Sequence, residues 1–335
     1  DVVVVITTNE STHLIQVYYN PTKYQHERMQ IILDQYFTLI NEVYSSSEPV
    51  CASTVSIRNP RQTQVLPDPR ERLSALWEGS ITSHFSKNAR LYPNKLAVVH
   101  LETKLTYGYL ERISNQLANW ILAKGVPPYS CVAIYGYRNV CIVWAILGVL
   151  SAGCHYTVID PAYPATRMIN CLTVAPPKCW IQIEEAGSVP PEVLDHLDAL
   201  KCTVRCNLPL PSIAEEKRLF AYYNGAEPPD VQIHPSTIAL ATFTSGSTGL
   251  PKGVLGRHSS LTHFYPWMRE TFKLRREDRF SLCSGISHDP LQRDIFTPFY
   301  LGSTIFIPDT NDIHTPGRLA YWMKVNGITI THLTP

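Results

Sequence analysis

The chain has 335 residues, 44% of them hydrophobic and 17% charged, and a formal net charge of +1. That apolar fraction supports a sizeable core and excludes long-range disorder. A charge so near zero excludes an electrostatic binder of nucleic acid. At roughly 150 residues per domain the length predicts about two domains.

Val2–Ile6 is an unbroken β-branched run and Leu14–Tyr19 a second apolar stretch, which together predict a hairpin with a six-residue polar loop, Thr7–Thr12. Asn20-Pro21 ends it. Between Gln25 and Tyr44, apolar residues from Met29 to Val43 recur on one helical face. Two strands and one helix are too little to bury a core of their own. Residues 1–60 therefore predict either the tail of a preceding domain or a piece that docks on the rest of the chain. A Ser-rich stretch and the prolines Pro60, Pro67 and Pro69 mark a linker, placed at 61–80.

A new pattern starts at Ser80. Ser80–Leu91 predicts a helix, Leu96–His100 a strand, and Leu105-Thr106-Tyr107 the start of the next element after a short hairpin. Tyr109–Lys124 is an amphipathic helix stopped by Gly125 and two prolines. Strands are predicted over Cys131–Tyr135, Cys154–Val158, Cys179–Ile183 and Thr237–Phe243, and helices over Val140–Ala152 and Pro164–Val174. Helices alternating with continuous apolar strands predict an α/β fold, its sheet parallel and covered on both faces. The apolar run Val140–Gly153 is too short to span a bilayer, so no membrane partner is expected. Nine cysteines stand mostly as single residues in apolar segments, which predicts buried reduced thiols and a cytoplasmic protein. None forms the close pairs beside a His that zinc requires, so no metal ligand is expected.

Glycine is scarce, 16 in the chain, yet Gly246, Gly249, Gly253 and Gly256 fall within eleven positions. The first three belong to a string, Thr242-Phe243-Thr244-Ser245-Gly246-Ser247-Thr248-Gly249-Leu250-Pro251-Lys252-Gly253, that follows an apolar strand. Glycines let backbone N–H groups converge on an anion, hydroxyls add donors, and Lys252 adds a compact charge. That combination suits a polyphosphate. It is not a Walker loop, because Pro251 stands where the second Gly belongs, nor is it a dinucleotide fingerprint.

This string resembles the phosphate-binding signature of the adenylate-forming superfamily, which includes acyl-CoA synthetases and the adenylation domains of peptide synthetases. Three further stretches occur in that family's order. Leu105-Thr106-Tyr107-Gly108-Tyr109-Leu110 is similar to its first signature, with Tyr109 replacing the usual Glu. Leu147–Tyr156, running on to Ile159-Asp160-Pro161, is similar to the second, although His155 and Tyr156 depart from it and read as packing residues. His288-Asp289 stands at the family's substrate-contacting pair. Lys252–His258, Ser284–Pro298 and Thr331-His332-Leu333-Thr334-Pro335 further resemble the fungal L-2-aminoadipate reductases, large enzymes with adenylation, carrier and reductase domains.

The resemblance implies an adenylate-forming fold whose core subdomains have mostly parallel sheets flanked by helices. Residues 81–335 would be the N-terminal part of the adenylation domain, and residues 1–60 a small α+β condensation-like remnant. It implies that the side-chain carboxylate of L-2-aminoadipate attacks MgATP, forming acyl-AMP. A phosphopantetheine thiol then takes the acyl group, and NADPH reduces it to the 6-semialdehyde. The implied partners are the carrier and reductase domains of the same polypeptide and a phosphopantetheinyl transferase. Thr244, Ser245, Gly246, Ser247, Thr248, Gly249, Lys252 and Gly253 would hold the phosphates, with Lys252 the catalytic charge. Asp289 would bind the substrate ammonium, and the residue chemistry assigns its α-carboxylate to Arg293. Asp289 and Arg293 would alternatively form a plain ion pair. His288 reads either as an aromatic gate or as a core histidine. The family's later signatures would fall beyond Pro335, so the chain alone is expected to be inactive. A peptide-synthetase domain or carboxylate reductase for another acid, and a non-catalytic nucleotide-binding module, remain as alternatives.

Overall fold

The computed structural model of the chain describes residues 2–9, 12–47, 51, 55, 76–244 and 250–333. It divides into two compact units, Asp1–Ser74 and Ala75–Pro335. In the first, β1 (Val2–Thr8) and β2 (His13–Tyr19) pair antiparallel, from Val2 opposite Tyr19 to Thr8 opposite His13. The strands thus run further than expected and the loop shortens to residues 9–12. Thr7 and Thr8 are β-branched and extend the strand, and the Asn9 side chain closes the turn by accepting from Thr12 N–H at 2.8 Å. The helix α1 (His26–Tyr44) comes next, as predicted. Among the described residues of this unit Met29 alone is buried, in keeping with a piece too small for its own core. Of the expected linker 61–80, only residues 76–80 are described.

The second unit opens with α2 (Ile81–Leu91), capped by Ser80, whose Oγ accepts from Ser83 N–H at 3.1 Å. β3 (Leu96–His100) turns into β4 (Thr103–Thr106) through Leu101 and Glu102, and Leu101 takes the left-handed conformation that so tight a turn demands. Thr106 then caps α3 (Tyr107–Ala123) by accepting from Tyr109 N–H at 3.2 Å, so the helix starts two residues before the expected Tyr109. After β5 (Cys131–Tyr135), Asn139 caps α4 (Val140–Ser151) with bonds from Cys141 and Ile142 N–H. The chain continues through β6 (His155–Ile159), α5 (Ala165–Val174), β7 (Cys179–Ile183), α6 (Pro191–Ala199), β8 (Val204–Leu208) and α7 (Ile213–Phe220). It then forms β9 (Ile238–Thr244), β10 (Lys252–Arg257), α8 (His258–Thr262), α9 (Phe264–Phe272), β11 (Arg279–Ser281), α10 (Pro290–Leu301), β12 (Thr304–Ile307), α11 (Thr310–His314) and α12 (Arg318–Val325).

These strands form two sheets where the alternation had suggested one. The larger has the order β10-β9-β6-β5-β7-β8, parallel except for β10 at its edge. The smaller has the order β11-β12-β3-β4, with β4 antiparallel. The apolar helix α4 packs between them, against β3 of one and β5 and β7 of the other. Alternation along β5 divides its side chains between two cores: Val132 and Ile134 face α4, while Ala133 and Tyr135 pack with Met168, Trp180 and Leu197 on the opposite face. Both faces of the larger sheet are therefore covered, as its continuous apolar strands require. Gly148 lets α3 approach α4 closely, since a Cβ there would lie 2.6 Å from Leu117 Cδ2. Seven cysteines are buried and no disulfide joins any of them; burial pushes the Cys131 thiol up to about 12. Among the described residues no helix is long and apolar enough to cross a membrane.

Candidate functional site

β6 and β9 run parallel and end at the same edge of the larger sheet. Ligands in open α/β sheets bind beyond the carboxyl ends of such strands. Thr244 is the last residue of β9, and Lys252, the first of β10, stands directly opposite it. The strand pair thus brings the two ends of the segment 245–251 together. Thr244, Lys252 and Gly253 are all exposed there. Ser245, Gly246, Ser247, Thr248 and Gly249, expected to hold phosphate, lie outside the described residues.

The last two of the clustered glycines stand in a strand. Gly253 and Gly256 lie within β10, where a Cβ on Gly256 would stand 2.9 Å from Leu240 Cδ2 and one on Gly253 3.0 Å from Val174 Cγ1. Their absent side chains let neighbours close onto the edge strand.

α10 follows Asp289, with Pro290 in its first turn, which places Asp289 and Arg293 four positions apart at the start of a helix. Asp289, Gln292 and Arg293 line a cavity of about 400 Å³, together with Thr242 of β9, Ser260 of α8 and Tyr265 of α9. Asp289 and Arg293 share this cavity, and among the described residues they form no ion pair with each other. The carboxylate nearest the Arg293 guanidinium is instead Asp294, 3.9 Å from Nε. The ion-pair alternative is thereby set aside. His288 is exposed, so it is not a core histidine; its ring lies over Gly285, where a Cβ would stand 2.6 Å from Cδ2.

Several groups that organise this region carried no local signal in the sequence. Asp294 is fully buried and accepts from Ser284 N–H at 3.1 Å and from His332 Nδ1 at 2.9 Å. Arg138, just before α4, donates to the carbonyls of Cys283 and Ser284 at 3.1 and 2.7 Å; burial holds its guanidinium below its ordinary pKa. Tyr156 was expected to do no more than pack. It is buried, and its hydroxyl donates to Gln292 Oε1; burial pushes its phenol up. Tyr163, in the loop after β6, shares a hydrogen bond with Ser287. His258 is buried, and its Nδ1 accepts from Ile81 N–H at 3.4 Å, which makes it a structural residue joining α2 to α8. Among the described residues no three His, Cys, Asp or Glu side chains come together as a metal site.

A family model described as AMP-binding enzyme matches residues 85–335. The L-2-aminoadipate reductase of Schizosaccharomyces pombe is 36% identical over 96% of this chain, which covers 24% of that protein. The Saccharomyces cerevisiae enzyme is likewise 36% identical, over 98% of this chain and 25% of its own length. The chain thus spans about a quarter of these curated relatives. A dimodular nonribosomal peptide synthase of Bacillus subtilis is 30% identical over 81% of the chain and 11% of its own length. Among solved structures, the nonribosomal peptide synthetase FmoA3 matches with TM-score 0.71 at 21% identity, over 97% of this chain and 33% of that one. VinN, crystallised with L-aspartate, matches with TM-score 0.64 at 20% identity, over 78% and 64%. At such identities the two structures show a shared fold.

Proposed function

Since the chain belongs to the AMP-binding enzyme family, we propose that it activates the side-chain carboxylate of L-2-aminoadipate as an acyl adenylate. One observation carries the substrate: Asp289 and Arg293 stand on one cavity without neutralising each other. A carboxylate and a guanidinium match the two charges of an amino-acid head group. Asp289 takes the ammonium, and Arg293 takes the α-carboxylate through its planar fork. The side-chain carboxylate is left to react. The identity to aminoadipate reductases over nearly the whole chain supports the same acid.

In the reaction an oxygen of that carboxylate bonds to the α-phosphorus of ATP as the bond to pyrophosphate breaks. Catalysis is then chiefly positioning and charge stabilisation. Lys252, at the mouth of the β9–β10 turn, and the hydroxyls and amides of Thr244–Gly249 hold the departing phosphates. His288, exposed and next to Asp289 in the chain, is available to contact the nucleotide. Mg²⁺ enters with ATP and is assigned no residue of this chain.

The family match over 85–335 supports residues 81–335 as the N-terminal part of the adenylation domain. Residues 1–60 are read as the tail of a condensation-like region. Transfer to a phosphopantetheine carrier and reduction by NADPH fall to other parts of the same polypeptide.

ATP–pyrophosphate exchange by the intact polypeptide across a panel of acids tests this. L-2-Aminoadipate should drive exchange best. Stronger exchange with a different acid would place the chain with another synthetase or carboxylate reductase. Nucleotide binding without any acid-dependent exchange would make it a non-catalytic module.

A further inference from the structure

Beyond Leu282, whose N–H bonds to Phe306 O at 2.9 Å, the chain leaves the smaller sheet and runs as a loop to Asp289, the residue before α10. Side chains from three other segments hold this loop. One atom of Arg138, Nη2, donates to the carbonyls of Cys283 at 3.1 Å and Ser284 at 2.7 Å. The N–H of Ser284 belongs to the same peptide group as the Cys283 carbonyl, and it donates to Asp294 Oδ2 at 3.1 Å. A single peptide group thus lies between a guanidinium and a carboxylate, each bonded to its matching end. Hydrogen bonds to charged groups are the strong ones, and turning this peptide over would break both. Further along, Ser287 shares its hydrogen bond with Tyr163, and His288 N–H closes a turn onto Gly285 O at 3.2 Å. Asp294 stands on α10 itself, so it ties the start of the loop to the helix that follows, and Asp289 lies at their junction. Arg138 comes from the connection between β5 and α4, and it ties that junction to the larger sheet.

We propose that Arg138 is a positioning residue for Asp289. By holding two consecutive carbonyls of the loop, it sets where Asp289 stands against the cavity wall that Leu240 and Thr242 of β9 supply. Arg138 does not itself line that cavity, so it acts through the loop and not on the substrate. The inference rests on the reading above in which Asp289 takes the substrate ammonium. A carboxylate held to one place binds that ammonium without first having to be ordered.

The test is pyrophosphate exchange by the intact polypeptide with L-2-aminoadipate and with adipate, which keeps both carboxylates and lacks the ammonium. Arg138→Ala should raise KM for aminoadipate about tenfold with kcat little changed, and alter the adipate kinetics by less than about twofold. In an Asp289→Asn background the same substitution should add less than about twofold for aminoadipate, because two residues acting through one contact are not additive. Arg138→Lys keeps the charge and a donor, and should raise KM for aminoadipate only about threefold. If Arg138→Ala does not fold, Arg138→Lys carries the same comparison of acids and of backgrounds. Equal losses with the two acids would overturn the proposal, leaving Arg138 a role in folding alone. Unchanged kinetics with both acids, or the full effect persisting beside Asp289→Asn, would overturn it as well. A wild-type protein that does not prefer aminoadipate to adipate would overturn the ammonium-binding reading of Asp289 itself, and the proposal with it. That result is read without any Arg138 variant, so the two failures are distinguishable.

Discussion

Tyr156 on β6 donates its buried hydroxyl to Oε1 of Gln292 on α10, joining the larger sheet to the helix that carries Arg293. The two residues are separated by 136 positions in sequence. Removing the donor leaves the Gln292 carbonyl unpaired in the core, which costs about 1–3 kcal/mol. Tyr156→Phe should lower the stability read from urea unfolding by that amount and, if the acid binds in the cavity that Gln292 lines with Asp289 and Arg293, raise its KM more than it lowers kcat. Tyr163→Phe removes a hydrogen bond from a part-buried pair with Ser287 and should cost less. Equal losses in the two variants would show that burial does not set the difference.

Signals confined to a few residues were readable in the sequence. The apolar run over Val140–Ala152 announces α4, and the continuous apolar run of β5 announces a strand buried on both faces. Thr106 was equally local, but its cap begins α3 earlier than the amphipathic pattern did. Gly253 and Gly256 pack against Val174 and Leu240, partners that no local pattern names. For the same reason Asp294 with His332, and Tyr156 with Gln292, were invisible before the fold was known. A cavity is a property of distant segments, whereas a motif is a property of adjacent ones.

Lys252 is exposed at the head of β10, opposite Thr244. An exposed lysine contributes little to folding, so Lys252→Ala should leave the stability within about 0.5 kcal/mol of the wild type. If its charge stabilises the departing pyrophosphate, exchange should fall by roughly tenfold or more. Lys252→Arg, which keeps the charge with a different shape, should restore part of the loss. Undiminished exchange in Lys252→Ala would remove it from the catalytic machinery.

Arg293 has Asp294 as its nearest carboxylate, but that carboxylate is already engaged by Ser284 N–H and His332. The guanidinium is therefore poorly compensated within the protein. Arg293→Ala should reduce the preference for aminoadipate over 5-aminopentanoate by about tenfold to a hundredfold, measured as the ratio of their kcat/KM values. Asp289→Asn should instead weaken both acids together, since both carry the ammonium. A similar change in selectivity from the two variants would contradict the division of roles.

His258 gives the fold a defined response to acid. It is fully buried, and burial lowers its pKa to about 4, against about 6.5 in an unfolded chain. Between those values the unfolded state binds a proton that the folded state refuses, so stability falls as pH falls through this window. Above about 6.5 the group is neutral in both states and has no effect. The full loss approaches about 3 kcal/mol near pH 4. His84, His100 and His155 are lowered by burial as well and act in the same direction. Protonation at Nδ1 would also cancel the acceptor for Ile81 N–H at the start of α2. His258→Asn should be less stable than the wild type at pH 7.5 yet lose less stability on going to pH 4.5, as read from urea midpoints at each pH. Parallel pH profiles for the two proteins would show that His258 does not carry this sensitivity.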